Sequence, residues 1–344
     1  MLKSFVLYRL PKERNIHFIN EAEVRSVSSI DELVEAAFVI SPFDDKAEKQ
    51  TISYKLSLSR IISEDEVLRL PVQAPNQKTV PVTVTKEKHI HLLDKMITRI
   101  RNHDLDKGVL SRVKQVKRQD ESITGVFLQL CQSYPTAFVY LASLPDGDLW
   151  CGATPETLAI YQNNMFRTMA LAGTQAVNNR NIDEIVWEAK EKQEQIWVQD
   201  HISNIFNEAG ITYQKSDTYT AAAGHLVHLK NDFTAHSTPQ QAKALIAKLQ
   251  PTPAVCGTPT LAAKKTILKL EEHQREYYSG YLGILSSQEI QLFVNLRCMK
   301  IYSDHFYLYV GGGITADSDA VSEWLETENK AQTLESVLKN RDKR

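Results

Sequence analysis

Apolar residues along this 344-residue chain follow two periods. In some stretches they recur every three or four residues, as on one face of a helix, and in others they gather in short β-branched or aromatic runs between turn formers, as in strands. The runs at 4–8, 37–40 and 51–56 read as strands of a β-rich N-terminal region. A helix is predicted over 86–102, with Leu93, Met96, Ile97 and Ile100 as its apolar stripe. The run LDKGVLSRVKQV follows as a turn feeding a strand, with Lys107 and Gly108 at its mouth. AFVYLASL, LWCGATPE, TLAIYQ and MFRTMALAG are consecutive strands punctuated by Pro145-Asp146-Gly147 and Asn163-Asn164, the pattern of antiparallel hairpins. A helix is predicted over about 183–208, where Val198, Ile202, Ile205 and Ala209 repeat at helical spacing. A strand at 225–229, helices at 239–249 and 261–272, and strands near Tyr281 and over 291–301 and 305–310 complete the pattern. This order predicts an α+β fold of long antiparallel sheets with helices packed outside.

The last stretch, GGGITADSDAVSEWLETENK from Gly311 to Lys330, reads as a glycine turn feeding a helix capped by Asp319. Helical geometry then puts Glu323, Glu326 and Lys330 on one face. A solvated face with Glu to Lys pairing is the ordinary account of such a trio. Two acids and a base beside a glycine turn also suit a site for a cation and an anion, since hard cations such as Mg²⁺ take carboxylates and waters. In the middle helix, Glu194 lies one turn before Val198 and so shares the apolar face. A carboxylate there requires a cation, a hydrogen bond or exposure, and an ion pair with Lys190, four residues earlier, is the local alternative to metal binding. The proline-rich loop around Ala254 and Val255 suits either a rigid wall or a mere connection.

The net charge of −2 gives no general attraction for nucleic acid, and no apolar run is long enough to span a bilayer. The N-terminus lacks the pattern of a signal peptide, so the expected location is cytoplasmic. Cys131, Cys151, Cys256 and Cys298 form no CxxC pair and are expected to be small, half-buried hydrophobes in strands and loops. His89, His91 and His225 sit in no motif and are expected at the surface or in the core.

Seven segments in order resemble the chorismate-utilising enzymes, the group containing isochorismate, anthranilate, aminodeoxychorismate and salicylate synthases. They are CGATPETLA, ALAGT, AKEKQEQIWVQD, LQPTPAVCGTP, EEHQREYYSGYLG, NLRC and the glycine-to-Lys330 stretch. The resemblance implies a sandwich of large antiparallel sheets, with residues 1–88 integrated into one compact domain around a chorismate-binding catalytic region at 89–338. It implies Mg²⁺ as cofactor, with Glu194 and Glu326 as metal ligands and Glu323 nearby. Gly173, Thr174, Ala254, Arg297, Gly311 and Lys330 are the implied substrate-binding positions. Lys107 matches the lysine that acts as general base on water where anthranilate synthase has Gln, and Ala172 stands where aminodeoxychorismate synthase carries a nucleophilic Lys. The expected reaction is therefore that of an isochorismate synthase: Lys107 activates water for attack at C2 of chorismate, and Glu156 protonates the departing C4 hydroxyl. That chemistry requires Lys107 to be partly neutral and Glu156 to hold a proton near pH 7. The product is expected to feed menaquinone or siderophore biosynthesis. The alternatives are a salicylate synthase, which also eliminates pyruvate, and a chorismate-binding protein without turnover. A monomer is expected, with no amidotransferase subunit, nucleic acid or membrane partner. Gln195, Gln250, Cys256 and Gly108 depart from the group's usual residues, and Gly108 raises the expectation of a loosely placed Lys107.

Overall fold

The β runs pair into two large sheets in which every strand pairing is antiparallel. The computed structural model describes residues 4–21, 24–44, 49–76, 80–119, 121–176, 182–223 and 226–339. Among these, the first sheet runs from the short edge strand Gly257–Thr258 through Lys107–Lys117, His305–Ile314, Cys298–Ile301, Leu149–Thr154 and Phe138–Ser143. It ends on Phe5–Arg9, Ile16–Asn20 and Arg60–Ile62. The second orders Gln214–Lys215, Leu226–His236, Met165–Ala176, Thr157–Gln162, Glu289–Val294 and Tyr281–Leu285, then Ala37–Ser41, Thr51–Lys55 and Arg25–Val27. Tyr219–Ala223 also pairs with Leu226–His236.

The sheets face each other across an aromatic core that takes Tyr8, Phe138, Tyr140 and Trp150 from one and Phe38, Tyr54 and Phe293 from the other. Phe138 and Phe293 stack across the gap with centroids 4.6 Å apart. The outer faces are closed by helices. Ala189–Glu208 and Pro239–Leu249 cover the second sheet through Val198, Ile202, Leu245 and Ile246. Ile123–Ser133 and Ala320–Lys339 cover the first through Phe127, Leu130, Leu334 and Leu338. Lys86–Arg101 and Thr260–Leu270 close one end of the first sheet around Met96, Leu110 and Ile267. The expected α+β sandwich with outer helices is the fold observed.

Several local expectations differ from the structure. The three glycines are not a turn, because the strand His305–Ile314 runs through them and stays paired with the Lys107 strand, Gly311 facing Ser111 and Gly313 facing Val109. None of the three takes a positive φ, so their use lies in the missing side chain. The run 291–301 divides at Arg297, whose φ of 48° turns the chain from one sheet to the other. The middle helix begins at Ala189, after a separate 3-10 turn at Ile182–Glu184. Its C-terminal neighbour strand is longer than expected, Leu226–His236, and His225 lies outside the described residues. Ile123–Ser133 forms a helix, capped by the Ser122 hydroxyl accepting from Gly125 N, that the sequence reading did not identify.

Candidate active site

The site gathers where the Lys107 and glycine strands of one sheet meet the middle and C-terminal helices. Lys107 opens its strand and is 2% exposed. It is gripped from the edge: Thr258 and Gly257 pair with Lys107 and Gly108, Asp106 N donates to Thr258 O at 2.8 Å, and Val109 N donates to Cys256 O at 2.9 Å. The proline-rich loop is thus more than a connection, since its end becomes the strand that fixes the lysine. Gly108 does not loosen this arrangement. Met96 of the first long helix fills the space a side chain at 108 would take, its Sδ 2.5 Å from where that Cβ would lie.

Lys107 Nζ donates to Glu194 Oε2 at 3.0 Å. The local pairing of Glu194 with Lys190 is not formed; Lys190 reaches across to the C-terminal helix, where its Nζ lies 3.4 Å from Glu323 Oε1. Asp319 caps that helix as expected, its Oδ1 accepting from Ser322 N at 2.8 Å. The Ser318 hydroxyl donates to Glu323 Oε1 at 2.6 Å, and Lys330 pairs with Glu326 at 2.7 Å while donating to Gly311 O at 3.1 Å. Of the three groups on this face, Glu323 is buried at 4% exposure, while Glu326 and Lys330 stay partly open to solvent. Burial and the nearby Glu326 push the Glu323 carboxyl above the usual range. Burial also opposes charge on Glu326, but Lys330, with Lys190 and Lys107, outweighs it and holds that carboxyl below the usual range.

The glycines are the floor between these groups. A Cβ on Gly313 would sit 3.1 Å from Lys107 Cε and 3.6 Å from Glu194 Oε2. One on Gly312 would sit 3.5 Å from Glu323 Oε2 and 3.7 Å from Glu326 Oε1. Gly311 is close packed against Leu110 O and the Tyr278 hydroxyl, and its carbonyl receives Lys330.

Glu156 follows the strand Leu149–Thr154, its N donating to Thr154 Oγ1 at 3.3 Å. Burial raises its carboxyl to about 7, against the opposing charges of Lys330, Lys107 and Arg297. Lys330, Lys107 and Arg297 are thus the cations whose charge bears on it. Arg297, half-buried at the turn between sheets, accepts from Ala153 N through its carbonyl at 3.1 Å, while its guanidinium has no hydrogen bond or ion pair among the described residues. Ala254 lines a small cavity with Glu156, Thr252 and Val198. Gly173 occupies a β-bulge with φ 64°, and a Cβ there would meet the Glu191 Cβ at 2.9 Å. Thr174 follows in the same strand, its side chain outside the described residues.

Two residues were missed by the sequence reading. Glu191 Oε2 is buried with no partner among the described residues, and its spacing from Glu194 repeats that of Glu323 and Glu326, a signal that was available. His228 Nδ1 contacts Gly173 O at 3.0 Å, and burial pushes the ring down to about 4, so the neutral ring donates and holds the bulge. Strand alternation alone carried no sign of that role. Of the departures, Gln195 bridges Ala170 O and Asn231 Oδ1, and Gln250 Nε2 donates to Ser279 O at 2.6 Å. All four cysteines are free, as expected, and buried where half-burial was expected.

For a divalent cation the donor chemistry fits. Glu323 Oε2, which flanks Gly312 with Glu326 Oε1, and Glu191 Oε2, one helical turn before Glu194, are buried acceptors without partners among the described residues. The carboxylates are held apart by lysines, and no three of the described His, Cys, Asp or Glu side chains converge as a metal cluster.

The two-sheet sandwich thus carries a buried lysine, a carboxyl raised to about 7 and an array of acids beside a run of glycines. The chain belongs to the chorismate binding enzyme family, which it matches over residues 28–339. It is 27% identical over 249 residues to isochorismate synthase EntC of Escherichia coli, covering 68% of this chain and 62% of that protein. With isochorismate synthase MenF of Escherichia coli it shares 27% over 271 residues, 75% of this chain and 63% of the relative. The chain thus spans less than two thirds of these relatives' length. In fold it is similar to MenF at a TM-score of 0.79 and 21% identity, covering 97% of this chain and 88% of that one. Anthranilate synthase component I from Streptococcus pneumoniae is also similar, with a TM-score of 0.70, 19% identity, and 97% and 92% coverage. Among the described residues, no helix is long and apolar enough to cross a membrane.

Proposed function

We propose that the protein is an isochorismate synthase, converting chorismate to isochorismate by addition of water at C2 and loss of the C4 hydroxyl. The observation that carries this reading is the buried Lys107, held at the head of its strand by the Gly257–Thr258 edge and donating to Glu194, together with the Glu156 carboxyl raised to about 7. Lys107 removes the proton from water, and Glu156 supplies one to the leaving hydroxyl. Arg297, with no side-chain partner among the described residues, and Lys330 receive the substrate's carboxylates, and the bare floor at Gly312 and Gly313 leaves the ring its space.

Glu194 and Glu326, with Glu323 and Glu191 behind them, would hold Mg²⁺, which when bound supplies positive charge to the substrate carboxylate nearest them.

The test is incubation of the purified protein with chorismate, with and without Mg²⁺, resolved by chromatography and repeated with Lys107→Ala. Mg²⁺-dependent isochorismate that is lost in the variant is expected. Salicylate with pyruvate would move the reaction to that of a salicylate synthase, and binding without turnover would leave a chorismate-binding protein.

A further inference from the structure

Two of the three lysines around the acids have work in the proposed reaction. Lys107 pairs with Glu194 and faces the floor, and Lys330 pairs with Glu326 and reaches Gly311 O. Lys190, in the first turn of the middle helix, has no such assignment. Its Nζ lies 3.4 Å from Glu323 Oε1, the acid whose other oxygen is buried and without a partner among the described residues. Burial acts against its charge, but Glu323, then Glu194 and Glu326, more than offset that, so all three proposed metal acids bear on this one ammonium.

The side chain is 34% exposed, and its outer side opens into a groove of about 370 Å³ lined also by Gln193, Trp197, Asp106, Thr315 and Asp317. Asp106 and Asp317 are exposed there. A flexible stem of four methylenes lets the Lys190 ammonium turn outward into this groove, which also holds the two carboxylates.

We propose that Lys190 is a tethered placeholder cation, holding Glu323 in the metal-free site and withdrawing into the groove when a divalent cation binds. This rests on the reading of Glu194, Glu323 and Glu326 as metal acids. Lys190 offsets carboxylate repulsion in the metal-free protein, and for the same reason it competes with the ion. A competitor bound by its own chain lowers the ion's apparent affinity by the fraction of sites it occupies. Removing it should tighten metal binding, whereas a lysine that directly supports the metal or the substrate would on removal leave metal binding the same or weaker.

The experiment is calorimetric titration of Mg²⁺, without substrate, into the parent protein, Lys190→Met, Lys190→Gln and the control Lys192→Met, with thermal unfolding of each. Lys192 is exposed two residues further on and carries the same formal charge. The expected result is Mg²⁺ binding about fivefold or more tighter in both Lys190 variants, the scale of one partly exposed ion pair, and unchanged in the control. The metal-free Tm of the Lys190 variants should fall below the parent's and recover with Mg²⁺. The glutamine variant keeps the test intact if methionine at this half-exposed position impairs folding. Mg²⁺ binding to the parent with equal or weaker binding to the Lys190 variants would overturn the placeholder and leave the metal reading standing. Equal tightening in Lys192→Met would reduce the effect to net charge and overturn it as well. Absence of Mg²⁺ binding in parent and variants alike would instead remove the metal reading, and this inference with it.

Discussion

The protonation state of Glu156 connects the site's electrostatics to a measurable pH profile. Burial raises its carboxyl to about 7 from an ordinary value of 4.5. As the proposed acid it must be protonated, so turnover is expected to fall as pH rises above about 7. Stability has the same sign. The folded state holds a proton that the unfolded chain gives up near 4.5, so the stabilisation is complete below that value and is lost as pH rises through about 7. Glu156→Gln is expected to lower turnover by about 10²–10⁴, the usual span for a positioned acid, with chorismate binding retained. The same change should flatten the fall in Tm between pH 5 and pH 8, because the glutamine has no proton to lose. Rate profiles and melts of both proteins over that range are the check, and an unchanged alkaline limb in the variant would assign that limb to another group. The position of this acid was legible only through the motif around it. Nothing in the spacing of Pro155 and Glu156 says that the carboxyl is desolvated, because the groups that desolvate it come from distant parts of the chain.

Among the elements, the glycines separate those that shape the ligand space from those that shape the backbone. Gly313 belongs to a regular strand, and a methyl there would meet the movable end of Lys107 at 3.1 Å. Gly257 has φ 130°, and its Cβ would fall 2.2 Å from Lys107 O and 2.8 Å from the Ala263 Cβ. Gly313→Ala is therefore expected to fold with nearly the parent's Tm and to lose most turnover, with the methyl standing in the ligand's space. Gly257→Ala is expected to lose at least about 2 kcal/mol of stability, from backbone conformation and overpacking together. Denaturant unfolding and chorismate turnover for each variant distinguish the two roles; a strongly destabilised Gly313→Ala would make that glycine structural. Composition marks both as glycines and cannot rank them. The run at 311–313 looked like a turn because three glycines in a row break most strands, and what keeps this one extended is ten residues of register with the Lys107 strand. Helices announced themselves better, through apolar stripes and caps such as Asp319. Two were not identified: Glu64–Arg69, a short helix in the region read as strands and loops, and Ile123–Ser133, which buries residues on several sides, so the stripe that would have marked it is blurred.

For the whole molecule, the sequence carried the strands far more clearly than their partners. Runs such as Phe38–Ile40 and Tyr140–Leu141 read as strands from their residues alone, but nothing local says that they enter different sheets and face each other across one core. That long-range pairing decides how the N-terminal region behaves. Phe5–Arg9 lies inside the first sheet, paired on one side with Phe138–Ser143 and on the other with Ile16–Asn20. Ala37–Ser41 lies inside the second, between Tyr281–Leu285 and Thr51–Lys55. Removing residues 1–62 would strip strands from both sheets and take Val6, Tyr8, Phe38, Ile40 and Tyr54 from the core between them. Two hydrophobic sheet edges and the core aromatics that packed against the lost strands would then face water. The truncated chain is expected to be insoluble or to lack a cooperative melt, although it keeps every residue assigned to the site. Soluble expression with a cooperative transition and chorismate turnover near the parent's would show instead that residues from 63 onward fold and act independently, with the N-terminal strands as an added layer.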